Sequence, residues 1–324
     1  MKIIAFEEHF QFAEIKEAVA RLLPASGENF YEPPTAQLED VGSGRLEAMK
    51  AMGVDMQVLS HPAAGIQQIP AAEAVALART INDGLAAVVR AHPERFVGLA
   101  TLPTPDPEAS AAELERAVKT LGLRGAMIHG HTKGRYLDDP AFDSLLSAAE
   151  ALDVPLYLHP APPPQKVWDA YYAGFEPAVS GSFATFGWGW HLDTGIHALR
   201  LVLAGVFDRY PRLQIVLGHW GEMIPFYLDR FSAGLTPVTK RLQRPVKDYF
   251  VQNMYVTPSG MFTLPPFLLC LQVLGVDRIL YSVDYPFQAG DHARAFLENA
   301  PLSPADREKI AHRNAERLLK LSVL

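Results

Sequence analysis

The chain has 324 residues, about twice a usual domain length, so two domains or one large barrel are the opening options. Lys and Arg number 29 against 36 Asp and Glu, a net charge of −7, and 49% of residues are apolar. That balance is too apolar for disorder, and the chain has no basic run for nucleic-acid phosphates.

Short, mostly apolar bursts of strand length recur at 2–6, 55–60, 95–102, 125–128, 155–158, 214–218, 253–257 and 278–283. Helical patterns lie between them. Over 71–92 the apolar positions Ala74, Leu77, Ala78, Ile81, Leu85 and Val88 keep helical spacing. Further helices are predicted at 106–121, 141–152, 193–209, 221–233 and 304–321, the last capped by Ser303. Strands alternating with helices imply a parallel α/β sheet, either doubly wound or closed into a barrel. The nearest Gly-rich turn, Gly42-Ser43-Gly44, follows no strand, and no Walker sequence or nucleophile elbow occurs. The lone cysteine, Cys270, excludes an intrachain disulfide, suits a reducing cytoplasmic compartment and sits in apolar surroundings typical of a core. The acidic start is unlike a signal peptide. The longest apolar tract, 264–276, is too short for a bilayer, so no membrane partner is expected.

Polar residues at the strand ends favour the barrel, whose chemistry sits at the carboxyl ends of its strands. In order these are Glu7-Glu8-His9, Ser60-His61, His129, His159, His219, Thr257 and Asp284. Side chains alternate along a strand, so Glu7 and His9 share one side and Glu8 takes the other as a packing or salt-bridging residue. Glu7, His9, His159 and Asp284 then offer two imidazoles and two carboxylates around one point. That set suits a single divalent metal, Zn²⁺ or Mn²⁺, with an open position. The bland alternative is a buried polar network, which two uncompensated carboxylates would make costly. His219 is a fifth ligand or, as preferred here, a general acid/base held by Glu222 one helical turn away. By spacing alone Arg230 reads as a surface residue, with substrate-carboxylate binding, in its own subunit or across a dimer, as the functional alternative.

These residues resemble the ACMSD-related branch of the amidohydrolase superfamily, specifically its non-oxidative hydroxybenzoate decarboxylases of the γ-resorcylate, 2,3-dihydroxybenzoate, salicylate and 5-carboxyvanillate type. The likeness runs nearly end to end. Its markers are Glu7-Glu8-His9-Phe10, His92-Pro93-Glu94-Arg95-Phe96, Tyr157-Leu158-His159-Pro160, Gly218-His219-Trp220-Gly221-Glu222 and Ser282-Val283-Asp284-Tyr285-Pro286-Phe287. Gly187-Trp188-Gly189-Trp190-His191 and Pro258-Ser259-Gly260 are similar too. The resemblance implies one (β/α)₈ TIM-like barrel over 1–324, with long loops at its mouth near 10–44 and 160–190. It implies a metal on Glu7, His9, His159 and Asp284, assistance from His219 and Glu222, and substrate binding by Arg230. It also implies that Arg45 contacts the substrate carboxylate. Glu-x-His on the first strand resembles the decarboxylases, whereas His-x-His is typical of ACMSD-type and lactone-hydrolysing members. Where many decarboxylases have Asn-Gly, this chain has His129-Gly130-His131. With His61, that places extra imidazoles at the mouth as candidate readers of a ring substituent, plain packing being the alternative.

The chemistry so implied is release of CO₂ from an ortho-hydroxy aromatic acid to leave a phenol. A metal acts as template and Lewis acid, and Asp284, or His219 through it, protonates the ring carbon. No organic cofactor is required. Trp168, Tyr171, Phe175, Trp188 and Trp190 are expected to wall the pocket or a subunit contact, with Trp188 a substrate contact, in a homodimer or homotetramer. The competing readings are a metal-dependent lactone or amide hydrolase on the same barrel and a non-catalytic binding barrel.

Overall fold

A computed structural model describes residues 1–23, 32–63, 65–288, 290 and 292–321. Its strands are β1 (Ile4–His9), β2 (Met56–Ser60), β3 (Phe96–Gly98), β4 (Ala100–Thr101), β5 (Ala126–His129), β6 (Leu156–His159), β7 (Ile215–Leu217) and β8 (Met254–Val256). All pair in parallel, in the orders β1-β2-β3 and β4-β5-β6-β7-β8. β3 and β4 are one extended run that changes partner at Leu99, whose N–H donates to Leu59 while that of Ala100 donates to Gly125.

The strand expected at 278–283 forms no ladder. Single bridges join Val256 to Ile279 and Ala5 to Tyr281 instead, with Leu280 N–H donating to Val256 and Phe6 N–H to Tyr281. The reason is a side-chain substitution: the N–H of Val283 donates to Glu8 Oε1 at 2.8 Å rather than to a strand. With those bridges the ring of strands closes into a (β/α)₈ barrel.

Two apolar layers follow from the alternation of strand side chains. Ile4, Phe6, Met56, Val58, Val97, Leu99, Met127 and Tyr157 fill the barrel, closed at one end by Ala315, Leu318 and Leu319. Ile3, Ala5, Leu59, Ala100 and Ile128 face the surrounding helices, packing with Ala74, Ala78 and Ile81. On β1 the register shifts between Ala5 and Glu8. This bulge sets two residues of β1 against one of β2 and reverses the parity. Glu7 therefore turns inward although Phe6 already does, His9 follows it, and Glu8 faces out to Gln57.

The helices keep most of their expected places, with two shifted for local reasons. The helix Gly189–Leu203 starts early and stops before Gly205, whose φ of +69° leaves the right-handed region. The helix expected from 221 begins only at Ile224, because residues 219–223 all have positive φ. Ser303 caps Pro304–Glu308 as expected, accepting from Asp306 N–H. The segments expected as loops carry helices of their own: Ala13–Leu22 and Thr35–Glu39 in the first, Gln165–Tyr171 and Pro177–Ala184 in the second. Residues 24–31 of the first segment lie outside the described residues. Cys270 is buried, and burial pushes its thiol pKa up to about 12, in keeping with a core role.

Candidate metal and active site

Glu7, His9 and His159 bring one ligand atom each to within 4.8 Å of one another at the carboxyl ends of β1 and β6. His159 Nε2 lies 3.4 Å from Glu7 Oε1, and His9 Nε2 lies 3.2 Å from Asp284 Oδ1. Glu7 Oε1, His9 Nε2 and Asp284 Oδ1 are buried and have no hydrogen-bond partner among the described residues. The far side of each group is occupied. His159 Nδ1 lies 2.7 Å from the Pro160 carbonyl, which can only accept, so the ring hydrogen sits there and Nε2 is a bare lone pair. His9 Nδ1 meets Ser60 Oγ at 3.2 Å. Glu7 Oε2 accepts from Tyr157, Ser259 and Thr257, which fixes the carboxylate with Oε1 aimed at the cluster. Burial raises the Asp284 pKa to about 6, against the lowering influence of His9 beside it. Orphaned lone pairs converging from two imidazoles and two carboxylates fit a divalent cation.

The second group is built on a left-handed turn. His219, Trp220, Gly221, Glu222 and Met223 have φ between +48° and +84°, a conformation that costs non-glycine residues energy and concentrates at functional sites. Glycine suits position 221, since at its φ of +84° a Cβ would be crowded at 3.0 Å by Pro225 and Val256. The turn is held by Trp220 N–H to Thr257, Trp220 Nε1–H to Met261 and His219 N–H to Ser259 Oγ. Glu222 is thus not one right-handed helical turn beyond His219, as the spacing implied. The left-handed turn still brings Glu222 Oε1 2.8 Å from His219 Nδ1. Burial acts to lower the His219 pKa, but the Glu222 carboxylate outweighs it and lifts it to about 9. The His219 and His159 rings are 6.4 Å apart.

Three expected substrate contacts have surroundings of their own. Arg45 is fully buried. Its Nε donates to Asp40 O, its Nη1 to Gln57 Oε1 and its Nη2 to the carbonyls of His9 and Gln37. The guanidinium clamps backbone behind His9, and these contacts engage four of its five N–H donors. Trp188 is 47% exposed. Its neighbour Trp190 takes the inward place, with its ring 6.4 Å from His159. Arg230 is exposed on Ile224–Leu235, beside Phe226 and Tyr227, and its side chain has no hydrogen bond or ion pair among the described residues.

His61 and His129 do join the mouth. The His129 ring is 5.3 Å from that of His159, and Gln67 Oε1 accepts its main-chain N–H. Both His61 nitrogens and His129 Nε2 are buried without hydrogen-bond partners among the described residues. Burial holds both imidazoles below their ordinary range, His61 at about 4. His191, which spacing had not singled out, lies 2.8 Å from the other oxygen of Glu222.

Residues 32–321 match the model of the amidohydrolase family. The chain is 40% identical to the decarboxylase orsB of Emericella nidulans, over 98% of this chain and 97% of that one. It superposes with a TM-score of 0.92 on the 5-carboxyvanillate decarboxylase of Sphingomonas paucimobilis, 34% identical, covering 99% of each chain. A dihydroxybenzoic acid decarboxylase of Polaromonas, 36% identical with a TM-score of 0.87 over 100% of this chain and 98% of that one, holds manganese and the inhibitor 2-nitroresorcinol. The chain belongs to the amidohydrolase family, in the branch that contains these decarboxylases.

Proposed function

We propose that this protein is a metal-dependent, non-oxidative decarboxylase of an ortho-hydroxy aromatic carboxylic acid, a carboxy-lyase that releases CO₂ and a phenol. The observation that carries the reading is the set of partnerless atoms on Glu7, His9 and Asp284, facing His159, in a chain 34–40% identical to decarboxylases. Glu7, His9, His159 and Asp284 would hold one divalent ion. Manganese is preferred because a relative holds it, and zinc is equally admitted by the donor set. When bound, the ion supplies Lewis acidity and a template for adjacent hydroxyl and carboxylate oxygens.

The protein residues divide the remaining work. Asp284 is the proton donor to the ring carbon that bears the carboxylate, and His219, held through Nδ1 by Glu222, replenishes it. Once that carbon is protonated, the bond to the carboxylate breaks and its electron pair returns to the ring. CO₂ leaves, and aromaticity is restored. Trp190 walls the ring site from the side of His159. His61 and His129 face a second ring substituent that is polar and uncharged, because uncharged imidazoles with bare nitrogens can hydrogen-bond a hydroxyl.

The whole chain acts as one barrel unit, and its partner is a second copy. Phe226 and Val238 are 72% and 69% exposed on or just after the helix that carries Arg230, an apolar face suited to a homodimer or a pair of dimers. In that assembly Arg230 would serve the neighbouring mouth. A cytoplasmic setting accords with the single buried cysteine.

The test is a panel of hydroxybenzoates followed by chromatography with manganese-loaded protein. The reading expects a phenol from at least one 2-hydroxybenzoate, loss of turnover on chelation, and loss in Asp284→Asn. Turnover of lactones or amides with no aromatic acid consumed would replace it by a hydrolase.

A further inference from the structure

Glu222 is fully buried and serves two imidazoles, one on each oxygen. Oε1 meets His219 Nδ1 and Oε2 meets His191 Nδ1, both at 2.8 Å, with the two rings 4.4 Å apart. The second histidine comes from a different element, the first turn of Gly189–Leu203. Behind it, Nε2 lies 3.0 Å from Trp190 Nε1, a donor, and 3.1 Å from the Phe186 carbonyl, an acceptor, so that side does not set the tautomer. The Glu222 carboxylate can only accept, so Nδ1 carries the hydrogen and donates it to Oε2.

We propose that His191 is a positioning residue for the reaction: it anchors the far oxygen of Glu222, so that the near oxygen holds His219 with Nε2 turned to the substrate. This rests on the decarboxylase reading above. A buried carboxylate with a single partner could turn about its last side-chain bond, whereas one held at both oxygens has a fixed plane. The same pair of residues links this anchor to the pocket wall, since Trp190 lies against His159 and also donates to His191. The 160–190 segment thereby carries a second task beyond covering the mouth. Trp190 and the Phe186 carbonyl together hold the His191 ring from behind while its Nδ1 faces Glu222.

Three variants test this in the metal-loaded protein. His191→Phe keeps a ring and removes the N–H. His191→Asn keeps an amide N–H near the Nδ1 position. Trp190→Phe keeps the wall and removes the indole donor. For His191→Phe we expect kcat to fall about 10- to 100-fold with KM within threefold, at the lower end of what a mispositioned acid/base group costs. His191→Asn should recover most of that loss. Proton NMR of the zinc-loaded protein supplies a readout independent of turnover: the hydrogen-bonded His219 Nδ1–H resonance should shift or vanish in His191→Phe and persist in His191→Asn. If His191→Phe does not fold, Trp190→Phe decides, with a shifted His219 signal and a smaller loss of kcat expected. An unchanged His219 signal in the folded variants overturns the proposal, as does an equal loss in Asn and Phe variants. Absence of any turnover in wild-type protein would count against the decarboxylase reading and leave the NMR result to decide this one.

Discussion

The main-chain N–H of Asp284 donates to the carbonyl of Glu7 at 3.0 Å, which sets two buried carboxylates side by side at the barrel mouth. Glu8, between Glu7 and His9, reinforces this by accepting the N–H groups of Val283 and Tyr285. Two carboxylates held this close call for a cation. We predict one divalent ion per chain by elemental analysis, and a Tm that falls by several degrees when the ion is chelated. Glu7→Gln should bind none tightly.

Tyr157 tests the support behind that site. Its hydroxyl donates to Glu7 Oε2, which leaves Oε1 free for the cluster. Tyr157→Phe should weaken metal affinity by about 10- to 100-fold, the usual cost of losing a partner behind a ligand. Titration of apo-protein with manganese measures it.

Arg45 separates a clamp from a substrate contact. Removing its guanidinium strands the carbonyls of Asp40, His9 and Gln37. Arg45→Met should cost about 3 kcal/mol of stability or more, by the penalty for buried groups left unpaired. The folded fraction should keep its KM within about twofold. A large rise in KM at unchanged Tm would restore the substrate-binding role.

Asp193 gives a pH signature away from the metal. Burial raises its pKa to about 6, despite the hydrogen bond it accepts from Tyr136 at 2.6 Å. The folded state thus binds a proton more tightly than the unfolded chain, whose Asp titrates near 3.8. This contribution is complete below pH 4 and is lost as pH rises towards and through 6. Asp193→Asn should therefore gain on wild type by about 2 kcal/mol between pH 4 and pH 7. Denaturant melts at the two pH values check this, and an Asn advantage that does not grow contradicts it.

Much of the barrel was legible because buried parallel strands are short apolar bursts, and seven of the eight appear where such bursts occur. The eighth was readable as extended chain but not as bridged only, since Glu8 takes the place of a strand partner. Glu7 and His9 were correctly placed on one side by alternation, yet their inward direction depends on the bulge, which no residue pattern announces. The Glu222–His219 contact followed from spacing, while the left-handed turn that makes it did not. Trp188 and Trp190 were indistinguishable by composition. Trp188 precedes the helix Gly189–Leu203, whereas Trp190 lies in its first turn with its ring 6.4 Å from His159. The buried contacts of Arg45 were not legible, because a family position says nothing about which acceptors surround it in this chain. His191 lay within a quoted motif, but its role needed the distance to Glu222.

The most direct test is a carbon balance. Chelator-treated protein is incubated with a panel of 2-hydroxybenzoates, before and after addition of manganese, and CO₂ and phenol are measured together. We predict equimolar CO₂ and phenol only after manganese is restored, with none from Glu7→Gln. Equimolar release from the metal-free protein, or no release from any 2-hydroxybenzoate with metal bound, would contradict it.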